Sequence, residues 1–317
     1  VEFTLNTINI QNKDYTWKSN FVFSKNISKV LKLNTETGVL NKTLQQGSDI
    51  TIVTRTAVGQ PIGQFYGYQV IGRFEKATDF YYKDAQGTVV PTALPEGMKI
   101  AENSVWIGDY IFKDLNKDGV INEKDQTYIG NPAPKFTFGF GNTFTFKGFD
   151  LNIFLTGAYG GDVVNYQRRF LENPRESTNL LKSAMGYAQL ELIDPNGPND
   201  YRNVQIVGGD PYMPRIGASS ASSTSNFRYS DKFLEDGSYV RIKNISVGYN
   251  LPEKLVSKMK LANLRVYTNM QNVFTFTKYT GYDPEVGSIN QDALLTGIDN
   301  ARYPSPLIYT FGLTANF

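Results

Sequence analysis

The sequence predicts an all-β protein, and more specifically a transmembrane antiparallel β-barrel with long extracellular loops. Aromatic residues make up 14% of the 317 residues, and aromatic and β-branched side chains suit the pleated surface of a sheet. Apolar and polar residues alternate within several segments, most clearly at 135–147, 149–155, 262–276 and 306–317. Alternation of this period indicates strands whose two faces meet different surroundings. These runs exceed the roughly 5 or 6 residues usual in soluble proteins and suit the roughly 9 to 11 that a membrane-spanning strand needs.

The connections between the predicted strands favour a membrane barrel over a soluble β-sandwich with one wet face. Nine strands are predicted, near residues 1–11, 15–27, 48–57, 62–74, 134–147, 149–160, 237–251, 262–276 and 306–317. The connections alternate, with short links at 12–14, 58–61, 148 and 252–261 and long ones at 28–47, 75–133, 161–236 and 277–305. Outer-membrane barrels have short turns on one side and long loops on the other. A soluble β-sandwich is not expected to have all its short connections on one side and all its long ones on the other.

Local details refine three of these segments. Lys147 and Gly148 separate two alternating runs and predict a tight turn. The run at 239–251 alternates less cleanly, which predicts a β-bulge. The polar loop at 161–236 contains a low-complexity stretch at 218–225, and a long loop at the mouth of a barrel is an expected place for substrate contacts.

Composition excludes several classes of function. The 32 basic and 30 acidic residues nearly cancel, so nothing suggests a nucleic-acid partner. The chain contains no Cys and no His, which removes disulfides, thiolate metal sites and the commonest general base. No Ser-His-Asp or Cys-His site can be built from it, so we expect no catalytic residues and no enzyme activity.

The two ends of the sequence predict a fragment of a longer protein. The chain carries no signal peptide and opens within strand-like sequence at 1–10. It closes on an alternating strand whose last residues, 310–317, resemble the C-terminal signal read by the outer-membrane barrel assembly machinery. We therefore expect the rest of the protein to lie on a separate segment or chain.

A cation site is predicted in one long loop, because residues 114–125 match the spacing of a calcium-binding loop. Oxygen ligands stand at positions 1, 3 and 5, a Gly at position 6 and a backbone carbonyl at position 7; position 12 is Asp rather than the usual Glu. The alternative is an Asx-rich turn without metal. The predicted ligands are Asp114, Asn116, Asp118, Val120 through its carbonyl, and Asp125. The ion would have a structural role in fixing the loop.

The residues that contact substrate cannot be assigned from the sequence. Tyr166, Arg168, Arg169 and Tyr282 could stack on or hydrogen-bond to a glycan or peptide, but ordinary loop packing and solvated charge are the favoured explanation for each of them.

Seven short phrases are distributed across nearly the whole chain: VGQPIG at 58–63, FYGY at 65–68, GDY at 108–110, IGNPAPKF at 129–136, FLEDGSYVRIKN at 233–244, NMQNVF at 269–274 and GYDPE at 281–285. Together, and in this order, they resemble the SusC family of TonB-dependent transporters.

The resemblance implies an outer-membrane barrel of about 22 strands with a plug in its lumen. Residues 1–317 would be its C-terminal part and would supply the last nine strands, with the plug and the N-terminal strands absent. An odd number of strands suits a chain whose first and last strands both run toward the periplasm. The resemblance further implies a SusD-like surface lipoprotein as a lid, energy supplied through TonB, contact with outer-membrane lipid, and import of glycans or oligopeptides.

Three functions remain open. Active import with a lipoprotein partner is favoured, while a passive porin would share the barrel but need an open lumen. A soluble or surface calcium-binding β-domain for glycan binding or adhesion is the alternative from another class.

Overall fold

Seven long strands form one antiparallel sheet, and their order across the sheet is the same as their order along the chain. A computed structural model of the protein describes residues 1–46, 49–176, 179–217 and 226–317. The seven strands, numbered here in chain order, are β1 (Glu2–Gln11), β2 (Tyr15–Ser24), β3 (Phe136–Phe146), β4 (Phe149–Tyr159), β5 (Tyr239–Asn250), β6 (Asn263–Thr277) and β7 (Ile308–Asn316).

The register of the sheet sorts apolar and polar side chains onto opposite faces, because directly paired residues lie on the same side. One row of paired residues from β2 to β6 is apolar: Phe21, Phe140, Leu155, Ile242 and Phe274. Another row, from β2 to β7, is polar: Lys18, Thr143, Asn152, Ser246, Asn269 and Thr310. The predicted alternation is therefore confirmed as two chemically distinct faces, named here the apolar face and the polar face.

The turn and the bulge predicted from the sequence are both present. Lys147 and Gly148 have φ of 46° and 90°, the conformation that a two-residue hairpin requires at both central positions. Against β4 the register shifts because Phe154 and Leu155 are adjacent but pair with Asn244 and Ile242, so Lys243 is the extra residue of a bulge in β5.

The connections are sorted by length as predicted, but the predicted links 28–47, 58–61 and 75–133 all fall within one long connection, 25–135. Residues 12–14, 147–148 and 251–262 link strands at one end of the sheet, while 25–135, 160–238 and 278–307 link them at the other. This second end is named here the loop end.

Two of the nine predicted strands do not belong to the main sheet, which has seven strands in the described residues, so the predicted count of nine was wrong. The described residues of these two segments, 49–57 and 62–74, contribute to a separate four-stranded sheet, whose order is Thr127–Gly130, Gln64–Gly67, Asp49–Ala57 and Val39–Gln46, and to the short strand Val70–Arg73. Val53 and Phe65 have no exposed surface, and neighbouring Thr54 is only 1% exposed. These strands are buried among loops. A short alternating run has the same sequence pattern in a barrel wall and among loops, so the alternation could not distinguish the two. An odd number of strands is preserved.

The remaining short strands and helices all lie in the connections. Paired strands are Val70–Arg73 with Tyr110–Phe112, Tyr81–Lys83 with Val89–Pro91, Leu94–Pro95 with Val120–Ile121, Gln189–Leu192 with Val204–Gly208, and Asp162–Asn165 between Leu234–Asp236 and Ile298–Asp299. Within the described residues, α-helices are formed by Arg168–Leu171 and Glu253–Val256. The 3-10 helices are Ala77–Phe80, Glu123–Asp125, Lys182–Gly186, Tyr201–Asn203, Asp231–Phe233, Ser257–Met259, Ile289–Gln291 and Ala293–Leu295. Within the described ranges, no helix is both long and apolar enough to cross a membrane.

The hydrophobic core lies among the loops rather than on the main sheet. Its largest cluster joins all three long connections, with Phe65 from the first, Tyr166 and Tyr229 from the second and Ile298 from the third, each at most 2% exposed. Gly67 lets Tyr229 approach closely, since a Cβ at this position would lie 2.8 Å from the Tyr229 ring. The long loops therefore pack into one body over the loop end of the sheet.

Candidate functional site

The polar face of the sheet carries a charged pair that spans three strands. Arg265 on β6 bonds to Asp150 on β4, with 2.8 Å between Nη2 and Oδ2. The pair passes over Gly248 on β5, where a Cβ would lie 2.3 Å from Arg265 Nη2. Gly248 thus leaves room for an ion pair across β5, and the polar face is charged as well as hydrophilic.

A buried arginine ties the third long loop to the polar face. Arg241 on β5 is 2% exposed and pairs with Asp283 and Glu285, the latter at 2.8 Å, while its Nε donates to Thr275 on β6. Asp283 also accepts bonds from the backbone N–H groups of Glu285 at 2.9 Å and Ser305 at 3.1 Å. Burial alone would raise the pKa of Asp283, but these two N–H groups and Arg241 together lower it below its ordinary value. This cluster, named here the Arg241 anchor, fixes loop 278–307.

A cleft of about 460 Å³ opens between the second and third long loops. Its sides are formed by residues near Arg168 and Lys182 on the second loop and by Tyr282 and Asp299 on the third. Ligand sites in proteins are typically concave and mostly apolar, with a few placed polar groups and volumes of roughly 300–1,000 Å³. The size and lining of the cleft fit this description.

The carboxylates beside the cleft already have partners. Arg168 donates to Glu172 at 2.9 Å and to Glu235 at 3.1 Å. Ser183 also donates to Glu172, and Thr280 donates to Glu235. Burial disfavours the charge of Arg168, but Glu172 and Glu235 outweigh it and raise the arginine's pKa. Arg168 therefore holds the cleft together.

Other groups are free to meet a ligand. Tyr282 is 75% exposed, and the Lys182 side chain, also at the surface, has no ion pair within the described part of the chain. An exposed ring and a cation can stack on or hydrogen-bond to a polar ligand.

The four residues considered from the sequence thus have different roles. Arg168 and Tyr282 line the cleft, whereas Tyr166 and Arg169 are 1% and 5% exposed. Arg169 donates to the Phe227 carbonyl and to the Tyr166 hydroxyl, each at 2.8 Å, so this pair belongs to the loop core. The low-complexity stretch at 218–225 lies outside the described residues.

The predicted calcium loop folds compactly around its first carboxylate. Asp114 accepts hydrogen bonds from the N–H groups of Lys117 at 2.6 Å and Gly119 at 2.9 Å. Lys117 and Gly119 have φ of 61° and 83°, which reverses the chain around this side chain. Asp118 accepts from the Val120 N–H and the Asn116 amide, and these bonds lower its pKa.

The last predicted ligand is in a different environment. Asp125 has no exposed surface and accepts from the N–H groups of Leu115 and Asn122, each at 2.9 Å. In the described residues, no three His, Cys, Asp or Glu side chains are grouped closely enough to hold a metal. The cation site stays a prediction.

Comparison with known proteins gives the family. The chain is 32% identical to TonB-dependent receptor P3 of Formosa agariphila and 26% identical to TonB-dependent receptor SusC of Bacteroides thetaiotaomicron, each alignment covering 100% of the chain. The chain belongs to the SusC family of TonB-dependent receptors. It spans 28% of the length of receptor P3 and 26% of SusC. No protein-family model matches it.

Solved structures give the same fold. The RagAB peptide importer in its open-open state superposes with a TM-score of 0.66 over 100% of this chain and 28% of that one, at 20% identity. The seven-stranded sheet is therefore part of an outer-membrane β-barrel, and the resemblance seen in the sequence phrases is confirmed. The relatives are receptors and a transporter rather than enzymes, and they favour the barrel over the soluble calcium-binding domain.

The family assigns surroundings to the two faces. In an outer-membrane barrel the apolar side faces lipid and the polar side faces the lumen. The Arg265–Asp150 pair and the Arg241 anchor are accordingly lumen groups, and the loop body lies over the mouth of the barrel.

Proposed function

We propose that the full-length protein imports nutrient molecules across the bacterial outer membrane with energy delivered through TonB. The observation that carries this proposal is the polar, charged lumen face beneath a cleft-bearing loop body in a chain of the SusC family. This arrangement offers a ligand a concave site outside the membrane and a hydrophilic path along the wall. This chain would supply the C-terminal part of the barrel, and the plug and the other strands would complete it.

A SusD-like surface lipoprotein is the proposed partner and would close over the loop body as a lid. Support comes from membership of the SusC family. Purification of the complex from outer membranes in detergent, followed by mass spectrometry, should recover the lipoprotein together with the plug. Recovery of the receptor without any surface lipoprotein would contradict this part of the proposal.

The proposed substrate is a glycan or an oligopeptide, with its first contacts in the cleft beside Tyr282. Uptake of labelled oligosaccharides and labelled oligopeptides should be compared in wild-type cells and in cells lacking TonB. We expect one class to enter only when TonB is present, and Tyr282→Ala to reduce its uptake several-fold. Uptake that continues without TonB would favour the passive porin instead.

We also propose that loop 114–125 binds calcium in a structural role. The spacing of its oxygen ligands and the reversal of the chain around Asp114 support this. Calcium chloride should slow proteolysis of this loop in the full-length receptor, and Asp114→Asn combined with Asp118→Asn should abolish the effect. If calcium has no effect on the unsubstituted receptor, the segment is an Asx turn without metal.

A further inference from the structure

We propose that Arg302 forms a binding site for an anionic group, a carboxylate or a sulfate, of the imported molecule on the lumen side of the barrel wall. This inference rests on the proposed import function and names a chemical property of the substrate.

The site is placed by two adjoining cavities of about 420 and 620 Å³, which share Arg302, Gly287 and Val286. The smaller cavity is also lined by Thr137 and Tyr239. These two residues lie on the polar face, at the loop ends of β3 and β5. Arg302 therefore faces the lumen just below the loop body, and an imported molecule that has left the cleft would meet it there.

The charge of Arg302 is unused within the described part of the chain. Its side chain is exposed and makes no ion pair or side-chain hydrogen bond with a described residue, whereas Arg241 and Arg265 on the same face are both paired. A guanidinium presents a rigid fork of N–H donors that matches the oxygens of a carboxylate or sulfate. An oxyanion in these cavities could therefore accept hydrogen bonds from the Arg302 guanidinium.

The backbone on both sides of Arg302 is held, and its guanidinium has one close neighbour. It lies against Gly287, where a Cβ would stand 2.5 Å from Arg302 Nη1. The Arg302 backbone N–H donates to Asp299 at 3.1 Å, and the Ser305 N–H donates to Asp283 in the Arg241 anchor. The chain is therefore held on both sides of Arg302, which reduces the ordering that a ligand must impose.

Two carboxylates line the smaller cavity, and both have other partners. Glu285 pairs with Arg241 at 2.8 Å and with Lys243 at 3.5 Å. Asp162 accepts a hydrogen bond from the Asn131 N–H at 2.8 Å, and burial raises its pKa. Neither forms an ion pair with Arg302, so a ligand need not displace an internal partner.

The test measures binding to the full-length receptor in detergent by isothermal titration calorimetry. The probes are trigalacturonate, a sulfated trisaccharide, a triglutamate peptide, and neutral counterparts of the same length. We expect at least one anionic probe to bind more tightly than its neutral counterpart, and Arg302→Gln to weaken that probe by about tenfold, as loss of one charge-assisted hydrogen bond implies. The neutral probes should bind both proteins equally, and the anionic probe that responds identifies the source of the charge.

Arg202→Gln is the matched control, because Arg202 is also exposed but pairs with Asp200 and lines neither of the two cavities. This variant should bind the anionic probe as the unsubstituted receptor does. Equal binding of anionic and neutral probes to the unsubstituted receptor, or an unchanged affinity in Arg302→Gln, would overturn the inference. The proposed import function would survive that result, because TonB-dependent uptake of a neutral substrate is measured separately in cells.

Discussion

Replacing Arg241 by Gln should release loop 278–307 from the barrel wall. The substitution removes the guanidinium from Asp283, whose side chain is only 7% exposed, and from Glu285, which is 46% exposed. Breaking a buried ion pair by removal of one partner costs about 3–5 kcal/mol, because the other charge stays buried. Asp283 keeps its hydrogen bonds from Glu285 and Ser305, and the Glu285 contact is largely solvated. We therefore expect the lower end of this range, about 3 kcal/mol.

Hydrogen–deuterium exchange of the full-length receptor in detergent measures this effect directly. At about 1.4 kcal/mol per factor of ten, the loss should speed amide exchange in loop 278–307 by about a hundredfold. Exchange in the hairpin of β1 and β2 should change little, because neither of these strands pairs with β5. A second substitution, Asp283→Asn, should restore part of the protection, since it removes the unpaired buried charge.

Arg265→Gln is the control for this experiment. It removes another arginine pair from the same face, but Arg265 and Asp150 are 30% and 17% exposed and pair with each other rather than with a residue of the loop. If loop 278–307 exchanges at the unsubstituted rate in Arg241→Gln, or if Arg265→Gln accelerates it equally, the Arg241 anchor does not hold the loop and the reasoning fails.

Three further predictions follow from the described contacts. Acidification should loosen loop 278–307, because the pKa of Asp283 in the folded protein is held below its ordinary value of 3.8. The ionised carboxylate therefore contributes fully to stability above that value, and the contribution is lost as the pH falls through the lower pKa of the folded state. Hydrogen–deuterium exchange at pH 6 and pH 3 will measure this loss. Gly312→Ala should lower the thermal unfolding temperature in detergent, because the new Cβ would lie 2.2 Å from the Tyr267 ring and overpacking costs about 1–3 kcal/mol. Asp125→Ala should expose loop 114–125 to protease even without calcium, since two backbone N–H groups lose their acceptor at about 1–3 kcal/mol each, whereas Asp118→Ala should not, because Asp118 lies at the surface.

Each of these predictions has a contrary result. If the protection factor of loop 278–307, corrected for the slower intrinsic amide exchange at low pH, is the same at both pH values, the ionisation of Asp283 does not stabilise the loop. Gly139→Ala is the control for Gly312→Ala, because its Cβ would stay 3.3 Å from Phe154. An equal fall of the unfolding temperature in both variants would mean that the Tyr267 contact is not its cause. Equal protease sensitivity of the two aspartate variants would remove the structural role of Asp125.

The sequence determined the strands of the barrel wall, because each depends on its own alternation. The run at 136–146 needs only its neighbours in the chain to put Phe on one face and Thr or Gly on the other, and Lys147-Gly148 fixes its turn locally. The sequence also predicted the sorting of short and long connections, the bulge in β5 and the family resemblance. Each of these features depends on residues that are close together in the chain.

Tertiary structure alone decided where the remaining residues go. Strand Asp49–Ala57 alternates as a wall strand does, yet it pairs with Gln64–Gly67 among the loops, because burial by distant segments leaves no local mark. Arg241 and Asp283 lie in two of the family phrases, but neither phrase contains a sequence signal for the ion pair that they form over a separation of 42 residues. The cleft and the free Arg302 exist only once three long loops close over one end of the sheet. Side chains meet there through packing between segments far apart in sequence, and a pattern of period two carries no information about such contacts.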